Sequence, residues 1–526
     1  MTTASQSDNA YDLFPYESWA FAQSYPGRLA TIARLFGMQP KLPRFCRVLE
    51  LGAASGGNLI PMALMLPESE FIGIDFSVRQ IENGQGLIRR LNLNNISLRH
   101  ASILDVDASF GHFDYIICHG VFLWVPAAVQ EKIFAICRDN LAPDGIAYVS
   151  YNTLPGWRMR GMLRDMMSYH GRQFIGPLQQ VQQARALLDF LGRSIPADNA
   201  YGLLLKSEFE LLGKQSDSYL FHEHLEEHNE PLYFHQFIER ASGYGLQYLG
   251  ESSLSAMLGN GLSSEVIQTL QRVAPDLIRM EQYLDFVRNR TFRQTLLVHA
   301  EQPLRRVLNP YDLRGLYMAG DARADVDADI AGTTLVTFRG PNKAGLTTGN
   351  PITKAAMCVL AERWPLTLAF SDLCRAARIR LEPLRIPDAA QYEQDAQVLS
   401  SELLQCYTVD LVELSVEPCR FVRHSGEYPV ASSYARMQAE NSARLTNLRL
   451  EQVNVDEFLR QLLLLLDGSR NRTQLIDGLV GLVSSGVLVL QQDGRHINDA
   501  EMVRDLLVKT LDSALKTLGM LALLTE

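Results

Sequence analysis

Short apolar runs and longer amphipathic stretches alternate along the first 160 residues. The apolar runs are CRVLELG (46–52), FIGIDFS (71–77), ISLRHAS (96–102), DYIICHG (114–120) and GIAYVSY (145–151). Each is short and carries β-branched or aromatic residues, so each predicts a strand. AASGGNLIPMAL (53–64), VRQIENGQGLIRRL (78–91) and PAAVQEKIFAICRDNL (126–141) space their apolar residues by three and four, which predicts helices. Strands alternating with helices imply an α/β fold with a doubly wound, Rossmann-like parallel sheet. Ligands bind such sheets at the C-terminal ends of the strands. A turn at Pro143–Gly145 is expected to feed the last strand.

The first strand–helix turn carries Gly52, Gly56 and Gly57, which let backbone pass close to a ligand. The spacing is not GxGxxG. Glu50 precedes the turn, and Asp75 ends the second strand, where a carboxylate can hydrogen-bond ribose hydroxyls. A glycine turn alone is weak evidence. The ordered set of turn, acid and late strands is more specific.

VLELGAASGGN, GIDFS, FDYIICHGVFLWVP and LAPDGIAYVSYNTLPGW resemble the motifs of class I S-adenosylmethionine-dependent methyltransferases. The last two strings resemble a narrower bacterial group with a methyltransferase regulatory domain, similar to the rickettsial outer-membrane-protein lysine methyltransferases. Ala53 stands where a cysteine is common. The resemblance implies S-adenosyl-L-methionine as cofactor. It implies that Glu50, Gly52 and Gly56 shape the methionine side, with Ala53 and Asn58 in the same loop. Asp75 would bind the ribose and Phe76 would lie beside the adenine. Ser102 and Ile103 would border the adenine edge, though Asp is frequent at the position of Ser102. Cys118, His119 and Gly120 would line the floor near the methyl group.

Methyl transfer is an in-line displacement, so positioning the nucleophile is the main task. A lysine acceptor has a pKa of about 10.4, so roughly one in 2500 is neutral at pH 7, a cost of about 4.6 kcal/mol. A dry aromatic pocket next to a sulfonium lowers that cost. Aromatic residues stand at the expected edge: Tyr16, Phe122, Trp124, Tyr151 and Trp157. Asn152 is the best polar group to orient an amine. The catalytic candidates are therefore Asn152, Tyr151, His119 and Trp157. The structural alternative is that the aromatics pack the top edge of the domain. No dedicated general base stands out.

LFHEHLEEHNEPLYFHQF (220–237) contains His224-x-x-Glu227-His228, an inverted-zincin spacing. Asn229, Glu230 and Pro231 would stop a helix at once, and a third ligand is missing, so no metal site is expected. The string also resembles the start of the regulatory domain. Glu223 and Glu226 could present negative charge to a basic acceptor. Farther on, AAMCVLAERWPLTLAFSDLCRAARI and VDEFLRQLLLLLDGSRNRTQLIDGLVGLVSSG both read helix–turn–helix. The second resembles a C-terminal winged helix.

The length of 526 residues allows three or four domains. The expected division is 1–160 cofactor-binding, 161–215 helical connector or dimerisation element, 216–300 regulatory, 301–430 helix–turn–helix-containing and 431–526 winged-helix-like. Net charge is −10. Residues 441–526 hold 9 Lys and Arg against 11 Asp and Glu. A DNA-reading winged helix would carry a basic excess, so nucleic acid is not an expected partner, and Arg470 and Arg472 are expected to be solvated. No run approaches a membrane span, no signal peptide is visible, and seven scattered cysteines suit a reducing cytoplasm. The expected partner is a protein with accessible lysines, with a homodimer as a further expectation. A small-molecule methyltransferase and a non-catalytic cofactor-binding regulator are the alternatives.

Overall fold

The computed structural model describes residues 16–226, 228–325, 329–341, 343–382, 388–492, 495–497 and 499–525. The chain divides into two compact units. The first holds, of the described residues, 16–18, 45–59 and those from 68 to 304; the second holds 19–44, 60–67 and those from 305 onward.

The first unit is built on a seven-stranded sheet: β1 (Arg47–Leu51), β2 (Glu70–Asp75), β3 (Ile96–His100), β4 (Phe113–Cys118), β5 (Leu141–Asn152), β6 (Leu246–Glu251) and β7 (Phe292–His299). The order is β3-β2-β1-β4-β5-β7-β6. Strands β1 to β5 pair in parallel, and β7 runs antiparallel to both neighbours. The inner strands are buried along nearly their whole length, which explains the unbroken apolar runs VLEL and YIIC. Strand order reverses between β1 and β4, so a crevice opens at their C-terminal ends.

Two expectations change. β5 already begins at Leu141 rather than after the Pro143–Gly145 turn, and the turn appears as a register jump from Phe113↔Leu141 to Tyr115↔Ile146. Residues 216–300 share the seven-stranded sheet with the first 152 residues. They supply β6 and β7, which extend the methyltransferase sheet and bury Phe234, Phe237 and Leu297 in its core.

Helices Trp157–Gly171, Pro177–Ser194, Ala200–Leu212 and Asp217–His224 close around a small core of their own, including Met167, Val181, Leu205 and Leu220. The helical stretch therefore starts at Trp157 and runs past 215.

The second unit contains both expected helix pairs, Pro351–Arg363 with Phe370–Leu381 and Glu457–Leu465 with Arg472–Ser484. The latter is followed by the short paired strands Gln491–Gln492 and Arg495–His496 and by the helix Ala500–Met520, a winged-helix order. Arg470 pairs with Asp467 at 2.9 Å and Arg472 with Asp512 at 3.1 Å. Among the described residues, no helix is long and apolar enough to cross a membrane. All seven cysteines are free thiols.

Candidate cofactor and acceptor site

The C-terminal ends of β1, β2 and β4 bring the sequence candidates to one edge. β1 runs into a turn whose path needs left-handed backbone. Gly52 and Gly56 both have φ of +77°, and Ala54 has φ of +46°. The alanine is held there because its N–H donates to Asp75 Oδ2 at 2.8 Å. Asp75 Oδ1 accepts from the Ser77 N–H at 2.9 Å. The carboxylate at the end of β2 is thus fixed beside the turn, half-buried. A Cβ on Gly57 would lie 2.2 Å from the Ser18 carbonyl oxygen, so this glycine is required by close approach of the N-terminal segment. Ser18 Oγ accepts from the Gly57 N–H at 2.8 Å.

Glu50 is 3% exposed. Its Oε1 accepts from Asn58 Nδ2 at 2.7 Å, while Oε2 is buried with no hydrogen-bond partner. Burial pushes its pKa up to about 8; the Asn58 hydrogen bond opposes this and the charge of Asp75 adds to it. A buried carboxylate oxygen without a donor costs about 1–3 kcal/mol or more. A ligand with a cationic donor relieves that cost. S-adenosylmethionine carries an ammonium and a sulfonium, so Glu50, the open glycine turn and Asp75 fit it.

The remaining cofactor candidates gather less tightly. Phe76 is 66% exposed at the end of β2, its ring 6.1 Å from that of His100, which leaves a face for an adenine. Ser102 caps the turn Ile103–Asp105: its hydroxyl accepts from the Leu104 N–H, and its own N–H donates to Asp105. Ile103 packs on the sheet core. Ala53 and Cys118 are buried, and burial holds the Cys118 thiol well above its usual pKa.

His119 is half-buried after β4. Its Nδ1 lies 2.8 Å from the Tyr148 hydroxyl, and burial pulls its pKa down to about 4. At neutral pH it is uncharged, and with so low a pKa it is a weak base for an ammonium.

Tyr151 corrects an expectation. Neighbouring strand residues point to opposite faces. Tyr148, Ser150 and Asn152 share the face toward the turn after β4, where Ser150 Oγ accepts from the Gly120 N–H at 2.8 Å. Tyr151 therefore points the other way. It is 2% exposed, stacks on Phe237 at 4.1 Å and shares a hydrogen bond with Thr295 Oγ1 at 3.0 Å. Phe122 joins the same aromatic cluster. Both rings pack the core. Asn152 is buried at the end of β5, opposite Phe292. Trp157 is buried too, but its Nε1 has no hydrogen-bond partner.

Ser18, Tyr148 and Ser150 were not among the candidates. The β5 residues were legible from period-two alternation. Ser18 had no local signal, because its partner is 39 residues away.

Two histidines of the histidine-rich segment are engaged by neighbouring side chains. The helix ends at His224. His222 Nδ1 meets Glu226 Oε1 at 2.9 Å, and His235 Nδ1 meets Gln282 Oε1 at 2.9 Å. Glu227 of the zincin-like string lies outside the described residues. Among the described residues, no group of three or more His, Cys, Asp or Glu is placed to hold a metal.

Three family models match the chain: a methyltransferase domain at 44–192, a predicted methyltransferase regulatory domain at 216–299, and the PKMT C-terminal winged helix domain at 427–523. The fold and site define a class I S-adenosylmethionine-dependent methyltransferase. An uncharacterized protein of Rickettsia prowazekii, RP789, is 36% identical over 509 residues, spanning 94% of this chain and 90% of its own. A second, RP028, is 42% identical over 44% of this chain and 93% of its own length. The solved structure of PKMT2 from Rickettsia typhi in complex with AdoHcy superposes with a TM-score of 0.86 at 31% identity, covering 97% of this chain and all of that one. The chain belongs to this PKMT family of methyltransferases with a regulatory and a winged-helix domain.

Proposed function

We propose that this methyltransferase transfers methyl groups to lysine side chains of a protein substrate. The observation that carries the reading is the likeness to PKMT2 along nearly the whole chain, regulatory and winged-helix segments included. When bound, S-adenosylmethionine supplies a methyl carbon activated by its sulfonium. Glu50 and Asn58 would hold the methionine end, Asp75 the ribose, and Phe76 the adenine face. Ser102 and Ile103 would border the adenine edge. Asn152 would orient the amine from the β5 face that also carries Tyr148 and Ser150. His119, kept neutral, would add no positive charge beside the sulfonium.

The winged-helix segment would recognise protein rather than nucleic acid, which its ion-paired Arg470 and Arg472 support. The exposed Tyr169, Ile175 and Phe190 of the helical region support a homodimer through that region, which sedimentation of the full chain tests. Free cysteines support a cytoplasmic setting, to be checked by cell fractionation.

The decisive experiment supplies labelled cofactor and a cell extract, then locates the label by mass spectrometry. Methyl groups on protein lysines are expected. Label found instead on a metabolite or nucleic acid would overturn the reading.

A further inference from the structure

On the lysine reading above, we propose that Phe292, which the regulatory segment brings to the methyltransferase sheet, is the wall that holds the methylene stem of the acceptor lysine. Phe292 thereby selects acceptor side chains by that stem.

The exit of β4 lies against the cofactor turn. Glu50 of β1 is paired with Ile117 of β4, and a Cβ on Gly52 would collide with the side chain of Val121, just past the end of β4. His119 and Gly120 stand between Cys118 and Val121 and so border the same turn. The Gly120 N–H donates to Ser150 Oγ at 2.8 Å, which lays this stretch over the face of β5 that carries Tyr148, Ser150 and Asn152. A Cβ on Gly120 would meet no atom within 4 Å, so the stretch borders open space.

Phe292 stands on that face. It is directly opposite Asn152 in the antiparallel pairing of β5 with β7, and opposite residues share a face. Its ring meets the His119 ring edge-on, with centroids 6.2 Å apart. His119 in turn stacks on Tyr148 at 5.8 Å, with Nδ1 2.8 Å from the tyrosine hydroxyl. The three rings form a connected set between β7 and the exit of β4.

The backbone beneath Phe292 is clamped. The Thr153 N–H donates to the Thr291 carbonyl at 2.9 Å, and the Gly156 N–H donates to the Arg290 carbonyl at 3.1 Å. A Cβ on Gly156 would collide with the Asn289 carbonyl oxygen, so this approach requires glycine. The residues after Phe292 on β7 are mostly buried, yet Phe292 itself is 39% exposed. A large apolar ring is thus held in a fixed place and left open to solvent.

That arrangement matches a long amine. A lysine lays its alkyl stem along apolar surface and keeps its nitrogen with polar groups. Phe292 offers the surface, and Asn152, its neighbour across the strands, offers the amide. A phenyl ring reads the length and apolarity of the stem, not its charge.

The test uses the full-length enzyme and labelled S-adenosylmethionine, with poly-L-lysine and poly-L-ornithine as acceptors. Calorimetric binding of S-adenosylhomocysteine is a separate readout. Ornithine is one methylene shorter, so the wild-type KM for it is expected to be about fourfold higher than for poly-L-lysine. Phe292→Ala is expected to raise the KM for poly-L-lysine about tenfold, to keep kcat within about twofold and to bring the two KM values together. Phe292→Leu is expected to restore most of the lysine KM. The affinity for S-adenosylhomocysteine is expected to stay unchanged in both variants. An unchanged KM, a loss confined to kcat, or an unchanged ratio of the two KM values would overturn the proposal and leave lysine methylation standing. Loss of S-adenosylhomocysteine binding in both variants would make Phe292 a structural residue and overturn it equally. Labelling of extract lysines without any labelling of poly-L-lysine would place selection outside the side-chain stem, with the same consequence. If the wild-type enzyme labels no lysine in either, the lysine reading falls, and this wall with it.

Discussion

Buried carboxylates at two places in the first unit, on β7 and at the cofactor turn, are completed in different ways. On β7, Arg293 is fully buried between Glu251, Glu281 and Asp285, at 2.6, 3.0 and 2.8 Å. Its guanidinium lies 3.8 Å from the Phe234 ring centroid, and Arg290 adds a second contact to Asp285 at 3.1 Å. Glu251 also accepts from the Gln294 N–H and from Thr295 Oγ1. This cluster contains its own cation. At the cofactor turn, Glu50 is as deeply buried, but its one side-chain donor is the neutral Asn58 and one oxygen is left without a partner. A carboxylate can be held in the interior by a guanidinium from the same chain or by a cation that arrives. The first solution builds scaffold; the second leaves a binding site.

That contrast can be broken most forcefully at Arg293. Arg293→Met leaves Glu251 without its cation and Glu281 and Asp285 with Arg290 alone. It should destabilise the fold by about 3–5 kcal/mol, read by denaturant unfolding. A loss under 1 kcal/mol would mean the network is dispensable.

At the cofactor turn the expected effects fall on binding instead. Asp75→Ala should weaken cofactor affinity by about 1–3 kcal/mol in a folded protein, measured by calorimetry. Unchanged affinity would remove Asp75 from the site.

Glu50→Gln should weaken binding by a similar amount and also test the sign of the pH dependence. Because the folded pKa of Glu50 is raised to about 8, its contribution to stability is fully present below the unfolded carboxylate range near 4.5 and is lost as pH rises through 8. The ligand-free Gln variant should therefore gain in melting temperature relative to wild type between pH 5 and pH 9. A constant difference across that window would show that Glu50 titrates normally.

The smallest change is expected at Tyr151→Phe. It removes one hydrogen bond to Thr295, about 1 kcal/mol of stability, and should leave turnover intact. A large loss of turnover at full stability would return Tyr151 to the acceptor side.

Much of the catalytic half was legible in the sequence. β1 to β4 fall within a residue or two of the apolar runs, because strands buried on both faces leave continuous apolar segments. Asp75 and the glycine turn were legible because positive φ and strand-end acids leave recognisable residues. β6 and β7 were hidden inside a stretch that resembled a separate domain. Nothing local in LQYLGE or FRQTLLVH says which sheet they join. The pairing of Tyr151 with Arg293 across β5 and β7 is a long-range fact. Tyr151 itself was misplaced because Asn152 was chosen beside it, although adjacent strand residues cannot share a face. The contact between Ser18 and Gly57 joins positions 39 residues apart, which periodicity does not encode.

The pairing of β5 with β7 also sets an order of events during synthesis. Asn152 finds its partner Phe292 some 140 residues later. At roughly 5–20 residues per second, the ribosome needs on the order of ten seconds to deliver it. Throughout that interval β5 is an unpaired sheet edge beside a finished cofactor turn, and such edges invite pairing with other chains. A nascent chain stopped near residue 160 should therefore be an aggregation-prone fragment rather than a minimal enzyme. The regulatory segment would then act first as an intramolecular escort for the sheet it completes.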